Sequence, residues 1–166
     1  MELIGGIGLF AATITTGLMA GVFGLYAHTI MPGLRRTDDR TFVAAFQSID
    51  TAIINPWFMV SFLGALVLTG LAAAVHLASD DRAALPWIAA AFVLYLVTVV
   101  ITLAVHVPLN NAIKAAGQPD RSADLASVRR RLSESRWAAW NLVRTVASTA
   151  AFACLAWALV VYGARP

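Results

Sequence analysis

With 166 residues, 60% of them hydrophobic and only 13% charged, the chain carries too little polar surface for a soluble domain of its size. The net charge of +3 does not point to nucleic acid, because the basic residues flank apolar blocks, where they act as topology determinants. The lone Cys154 lies inside an apolar run, which excludes an intramolecular disulfide and leaves the compartment open.

The first apolar block, residues 3–31, is long enough to span a bilayer and too long for a signal-peptide core; Glu2 stands where a basic leader would begin. It is read as a retained helix. Gly17 and Gly21 form a GxxxG pair, extended by Ala20 and Gly24, and such stripes let helices approach closely in lipid. Ordinary packing within the bundle is favoured over a dedicated dimer face. Pro32-Gly33 is read as the helix stop. Residues 34–54 then place Phe42, Phe46, Ile49 and Ile53 at helical spacing, with Gln47, Ser48 and Asp50 between them. That pattern predicts a short amphipathic helix at the interface, capped by Thr37 or Asp38.

Asn55-Pro56-Trp57 opens the second span as cap, first-turn proline and interfacial aromatic. His76 at its far end is expected to be solvated beside the polar turn Ser79-Asp80-Asp81-Arg82. That short turn makes the third span an antiparallel neighbour. The third span starts at Pro86-Trp87 and is expected to end at the corner His106-Val107-Pro108-Leu109-Asn110-Asn111, with Pro108 as the stop. A polar segment follows, broken by Gly117-Gln118-Pro119. A helix starting at Asp120 or Ser122 would carry Leu125, Val128 and Leu132 on one face and arginines opposite. Nothing between Ser133 and Ala139 forbids it from running straight into the fourth span, which starts at Trp137.

The fold expected is therefore all-α: one integral membrane four-helix bundle, residues 1–166, running up-down-up-down. Its spans lie at about 3–31, 56–78, 85–107 and 137–162, with short amphipathic interfacial helices in loops 1 and 3. Arg35, Arg36, Arg40, Lys114, Arg121, Arg129, Arg130, Arg131 and Arg136 fall in those two loops, against Arg82 and Arg165 on the other side. The positive-inside rule makes this a multi-pass cell-membrane protein with loops 1 and 3 cytoplasmic and both termini outside.

That topology brings Tyr26, His28, Asn55, His106, Asn110, Trp137, Trp140, Asn141 and Arg144 to one end of the bundle. Arg144 lies about two turns inside the fourth span, counted from Trp137 at a helical rise per residue. An arginine there is costly unless it snorkels to headgroups or faces a polar pocket. Trp137, Asn141 and Arg144 share one face at i, i+4, i+7, which favours the pocket, with partners expected around Asn55 or Asn110. His28 and His106 are each either hydrogen-bonded interfacial histidines, candidate bases, or a paired haem or metal site. No HExxH, CxxCH or carboxylate cluster inside the bundle supports the metal alternative.

Three ordered pieces of the chain, Asn55-Pro56-Trp57-Phe58, Val107-Pro108-Leu109-Asn110-Asn111 and Trp137-x-x-Trp140-Asn141-x-x-Arg144, resemble the anthrone oxygenase-like family of small four-helix membrane proteins. His106 stands where the family pattern has asparagine. The resemblance implies oxidation of a polycyclic anthrone to its quinone by dioxygen, with neither metal nor flavin. Such chemistry needs a base, a cation for an oxyanion and aromatic walls. His106 or His28 could serve as base. Arg144, with Asn110 and Asn141, could hold the oxyanion, and Trp137 or Trp140 could stack on the rings, with Tyr26 and Asn55 completing the site. The partners implied are membrane lipid and an apolar aromatic small molecule. A non-catalytic carrier or assembly protein is the alternative of a different class, and the sequence sets no oligomeric state.

Overall fold

A chain crossing hydrocarbon must satisfy its backbone polar groups within itself, and helix is the only regular structure among the described residues, 2–79, 82–117 and 124–164 of the computed structural model. The first span runs through α1 (Glu2–Leu25), a π-helical turn (Tyr26–Ile30) and α2 (Met31–Leu34). Next come α3 (Asp39–Ala52) and α4 (Pro56–Leu77). The third span comprises α5 (Leu85–Ile101), a second π turn (Thr102–His106) and α6 (Val107–Lys114). α7 (Leu125–Arg131) and α8 (Glu134–Gly163) complete the order. Four stretches are long and apolar enough to cross a membrane: Leu3–Leu34, Pro56–Leu77, Leu85–Lys114 and Leu125–Gly163. Within the polar connections, Asp80-Asp81, Gln118-Pro119 and the helix start expected at Asp120 or Ser122 lie outside the described residues.

α1 packs against α4 and α8, and α5 against the same two helices. Neighbours run antiparallel. A Cβ on Gly5, near the start of α1, would meet Val75 and His76 near the end of α4 and Tyr162 near the end of α8. Trp87, at the start of α5, meets Trp157 edge-on at that same end, and at the other end Asn141 reaches the carbonyl of Phe23. Small residues line the seams: Ala12, Ala65, Ala91, Ala151 and Ala158 are fully buried, while Phe10, Leu18, Val67, Leu71 and Val93 face outward. Apolar residues outside and small ones between helices are the distribution that lipid favours.

Three expectations are corrected. Pro32 and Pro108 do not stop their helices. In each case the residue before proline closes a wide turn, with the Met31 N–H donating to the Tyr26 carbonyl and the Val107 N–H to the Thr102 carbonyl. Proline crowds the preceding turn and has no N–H to give. After a widened turn it sits at the start of a renewed helix, where that N–H is not needed. Second, the helix does not run unbroken into the fourth span. Ser133 adopts a left-handed conformation, φ 51° and ψ 65°, at a cost of about 1–2 kcal/mol for a residue with a Cβ. The break turns α7 back over α3, so that Val128 and Leu132 bury against Phe42, Phe46, Ile113 and Trp137. Third, His76 is not solvated. It is buried, its Nδ1 is 2.8 Å from the Ala72 carbonyl, and its ring packs on Tyr162.

The loop helices thus form a second small core beyond the end of the bundle, and ion pairs clasp it. Arg129 donates from Nε to Glu134 at 2.6 Å and from Nη1 to the Thr37 carbonyl and to Asp39, with its guanidinium 4.2 Å above the Phe42 ring. Asp38 caps α3 by accepting from the Thr41 N–H and hydroxyl, which holds its carboxyl below the usual value.

Within the glycine stripe of the first span, Gly17 packs against the fourth span while Gly21 is exposed. A Cβ on Gly17 would lie 2.9 and 3.0 Å from ring carbons of Phe152, whereas one on Gly21 meets nothing within 4 Å. Gly17→Leu is therefore expected to destabilise the purified protein by about 1–3 kcal/mol, the usual penalty of overpacking, and Gly21→Leu by much less, read as thermal unfolding in nanodiscs.

Candidate functional site

A cavity of about 270 Å³ lies between the four spans at the end covered by α3. This is near the lower limit for small-molecule sites, ~300 Å³. Phe23, Phe46, Ile49, Phe58 and Phe62 are part of its apolar wall, and into it come Tyr26, Asp50, Thr102, His106, Asn110, Trp137 and Arg144.

Arg144 is 6% exposed, so it faces inward and does not snorkel. Its Nε donates to Asn141 Oδ1 at 2.8 Å and its Nη1 to Thr102 Oγ1 at 3.3 Å. These replace the partners expected around Asn55 or Asn110. Asn141, fully buried, is itself fixed by donating to the Phe23 carbonyl at 3.2 Å, which ties the fourth span to the first. The guanidinium carbon sits 4.2 Å over the Phe23 ring and 5.6 Å from that of Trp137. Among the described residues no carboxylate pairs with Arg144, and no acceptor takes Nη2.

His106 is 2% exposed and stands edge-on to Trp137, ring centroids 4.9 Å apart. Neither of its ring nitrogens makes a hydrogen bond of good geometry to a described residue, although the backbone of Ile101 and of Trp137 approaches the ring. Leaving a buried polar group unpaired costs about 1–3 kcal/mol, so in a cavity wall it marks a place for a ligand. Trp137 is held by a short polar chain. Its Nε1 donates to Asn110 Oδ1 at 2.9 Å, Asn110 Nδ2 donates to Asp50 Oδ1 at 2.6 Å, and Asp50 Oδ2 pairs with Lys114 Nζ at 2.7 Å. Tyr26 packs against the same indole at 5.9 Å.

The structure therefore gathers Tyr26, His106, Asn110, Trp137 and Arg144 around one cavity, with Asn141 directly behind Arg144. Three other candidates stand apart. His28 is exposed, its Nδ1 2.6 Å from Thr29 Oγ1, and it does not line the cavity with His106, so the two imidazoles are not brought together as a ligand pair. Trp140, 40% exposed, lies on the neighbouring outward face of α8. Asn55 caps α4, accepting from the Phe58 N–H at 3.1 Å, and does not itself line the cavity. No group of three or more metal-ligating side chains occurs among the described residues. Asp50 and Thr102 were not among the expected site residues. Asp50 carried a signal, since it lies four residues after Phe46 and three before Ile53, on the apolar stripe of α3 instead of opposite it.

Residues 57–154 match the protein family described as anthrone oxygenase, a stretch covering more than half of the chain. Neither a curated protein nor a solved structure matches the sequence. The chain belongs to the anthrone oxygenase family. The matched stretch carries His106, Asn110, Trp137, Asn141 and Arg144, while Phe23, Tyr26, Phe46 and Asp50 complete the cavity from outside it.

Because its charge is answered only by neutral groups, Arg144 contributes little to holding the empty fold, whereas Trp137 closes the second core. Arg144→Met is expected to leave the melting temperature close to wild type, while Trp137→Ala costs about 3–5 kcal/mol, as burying and then deleting a large ring does. Thermal unfolding of both variants side by side checks the contrast; a larger loss from Arg144→Met would make the guanidinium a structural keystone.

Proposed function

We propose that the protein is a cofactor-independent oxygenase that converts an anthrone-like polycyclic phenol to its quinone within this cavity, at the cytoplasmic end of the bundle. The observation that carries the reading is the pairing, in one apolar chamber, of a buried imidazole with no side-chain partner and a guanidinium with an unused N–H. Family membership supports it. The cytoplasmic placement rests on the basic residues clustered in loops 1 and 3.

His106 takes a proton from the ring carbon flanked by two arenes. The electron pair left behind spreads onto the carbonyl oxygen, and Arg144 holds that oxyanion in surroundings of low dielectric. The anion gives one electron to O₂, and the resulting radical and superoxide combine to form a C–O bond. The histidine returns its proton to the peroxide. Removal of the remaining C–H proton, with cleavage of the O–O bond, yields the second carbonyl and water. One O₂ is consumed and the base is regenerated. Phe23, Phe58 and Phe62 suit a flat ring system, and Asn110 and Asp50 hold the Trp137 ring against His106.

Purified protein is therefore expected to accelerate O₂ uptake with an anthrone, unaffected by chelators, with a rate that rises with pH to a plateau as the base becomes neutral. His106→Gln should cut kcat more than it raises KM and flatten that pH profile, since a base acts mainly in the transition state. Arg144→Lys, which keeps charge but loses the planar fork, should be intermediate. If a panel of anthrones and electron-rich phenols shows no turnover above the uncatalysed rate, the cavity belongs to a carrier or binding protein.

A further inference from the structure

The cavity wall is not closed on every side. Of the residues that line it, the exposed ones are Ile54 at 62%, Leu103 at 60%, Val107 at 40% and Met59 at 36%. All four are apolar, and they come from two adjoining places only: the α3–α4 junction with the start of α4, and the second π turn with the start of α6. The wall supplied by the first and fourth spans has no exposed residue. On the side of the loop helices the chamber is shut by Phe46 and Asp50, and behind them by the second core.

From these observations we infer that the cavity opens sideways into the bilayer, through a gap between the second and third spans rimmed by Ile54, Met59, Leu103 and Val107, and that its ligand arrives from the lipid. A rim made wholly of apolar, outward-facing side chains has no reason to face water. Its depth fits: Trp57, 86% exposed at the start of α4, marks the headgroup level, and Met59 lies just beyond it. A flat polycycle bearing one ionisable oxygen settles at that boundary, ring system among acyl chains and oxygen toward the headgroups, as tryptophan and tyrosine rings do. Entering sideways, it would slide between the phenylalanines with its oxygen leading toward Arg144. The second π turn serves both ends of this route, placing Leu103 on the rim and Thr102 and His106 inside.

The inference rests on the cavity's receiving an apolar ligand, but its test does not need turnover. In a Cys154→Ala background, a cysteine at Ile49, inside the chamber, is labelled in nanodiscs either by N-(1-pyrenyl)maleimide, which dissolves in lipid, or by a charged trimethylammonium methanethiosulfonate. The pyrenyl reagent is expected to react severalfold faster than in Leu103→Trp or Met59→Trp, which plug the gap. Val93→Trp, exposed on the same span but about 15 Å along it from Leu103, should leave that rate unchanged. Faster labelling by the charged reagent, or a pyrenyl rate indifferent to both plugs, would overturn the lateral route. Loss of anthrone turnover with the labelling pattern intact would instead sink the oxygenase reading alone.

Discussion

A guanidinium moved from water into hydrocarbon loses several kcal/mol of hydration, and most proteins answer it with a carboxylate. Here Arg144 is answered by an amide oxygen, a hydroxyl and two aromatic faces. Neutral dipoles and ring quadrupoles spread the charge without cancelling it. The cavity beside it therefore keeps a positive field in low dielectric, where an anion is drawn far more strongly than in water. One bond of this arrangement, that of Asn141 to the first span, also shapes the bundle end. Asn141 can hold Arg144 only because it is pinned to the Phe23 carbonyl, and that bond sets how the first and fourth spans meet.

Asp50 lines the same cavity and could have neutralised the cation. It does not, because its charge is already engaged by Lys114 on α6 and by Asn110. The lysine side chain is 34% exposed, so this second pair is answered partly by solvent, whereas Arg144 is not. One oxygen of Asp50 is thereby held by Lys114 and the other orients Asn110, whose own oxygen orients Trp137, which packs against His106. A carboxylate held in this way steadies the ring beside His106 without pairing with Arg144.

The spans were legible because apolar length and flanking charge are dictated by the bilayer, and the polar end followed from threading them alternately. Arg144, Asn141 and Trp137 were legible as one face because the start of α8 is regular helix. His28 and Trp140 were misplaced for different reasons: Trp140, in regular helix, stands one residue or about 100° off the Asn141 face, whereas for His28 the direction of the side chain depends on local winding. His28 sits in a π turn, where the face cannot be counted at 3.6 residues per turn. Asp50 was passed over because a carboxylate in an interfacial helix is ordinarily solvated, although its register with Phe46 and Ile53 turns it inward, where Lys114 and Asn110 answer it. The left-handed Ser133 had no local signal, since the residue that favours that conformation is glycine and the driving contacts are those of Arg129, Val128 and Leu132.

The two π turns explain why each proline belongs where it is. In an unbroken α-helix a step of four residues overshoots one full turn by about 40°, so Thr102, His106 and Asn110 would drift progressively around the third span. A turn that takes extra residues removes part of that overshoot and brings all three to bear on one cavity. Such a turn is unfavourable in regular helix and needs a cause. Pro108 supplies it, because its ring and missing N–H already disfavour a tight turn just before it. Pro32 does the same after Tyr26–Ile30, where Tyr26 and Ile30 line the cavity and His28 falls outside it. The residues that read as helix stops are thus the ones that wind the site.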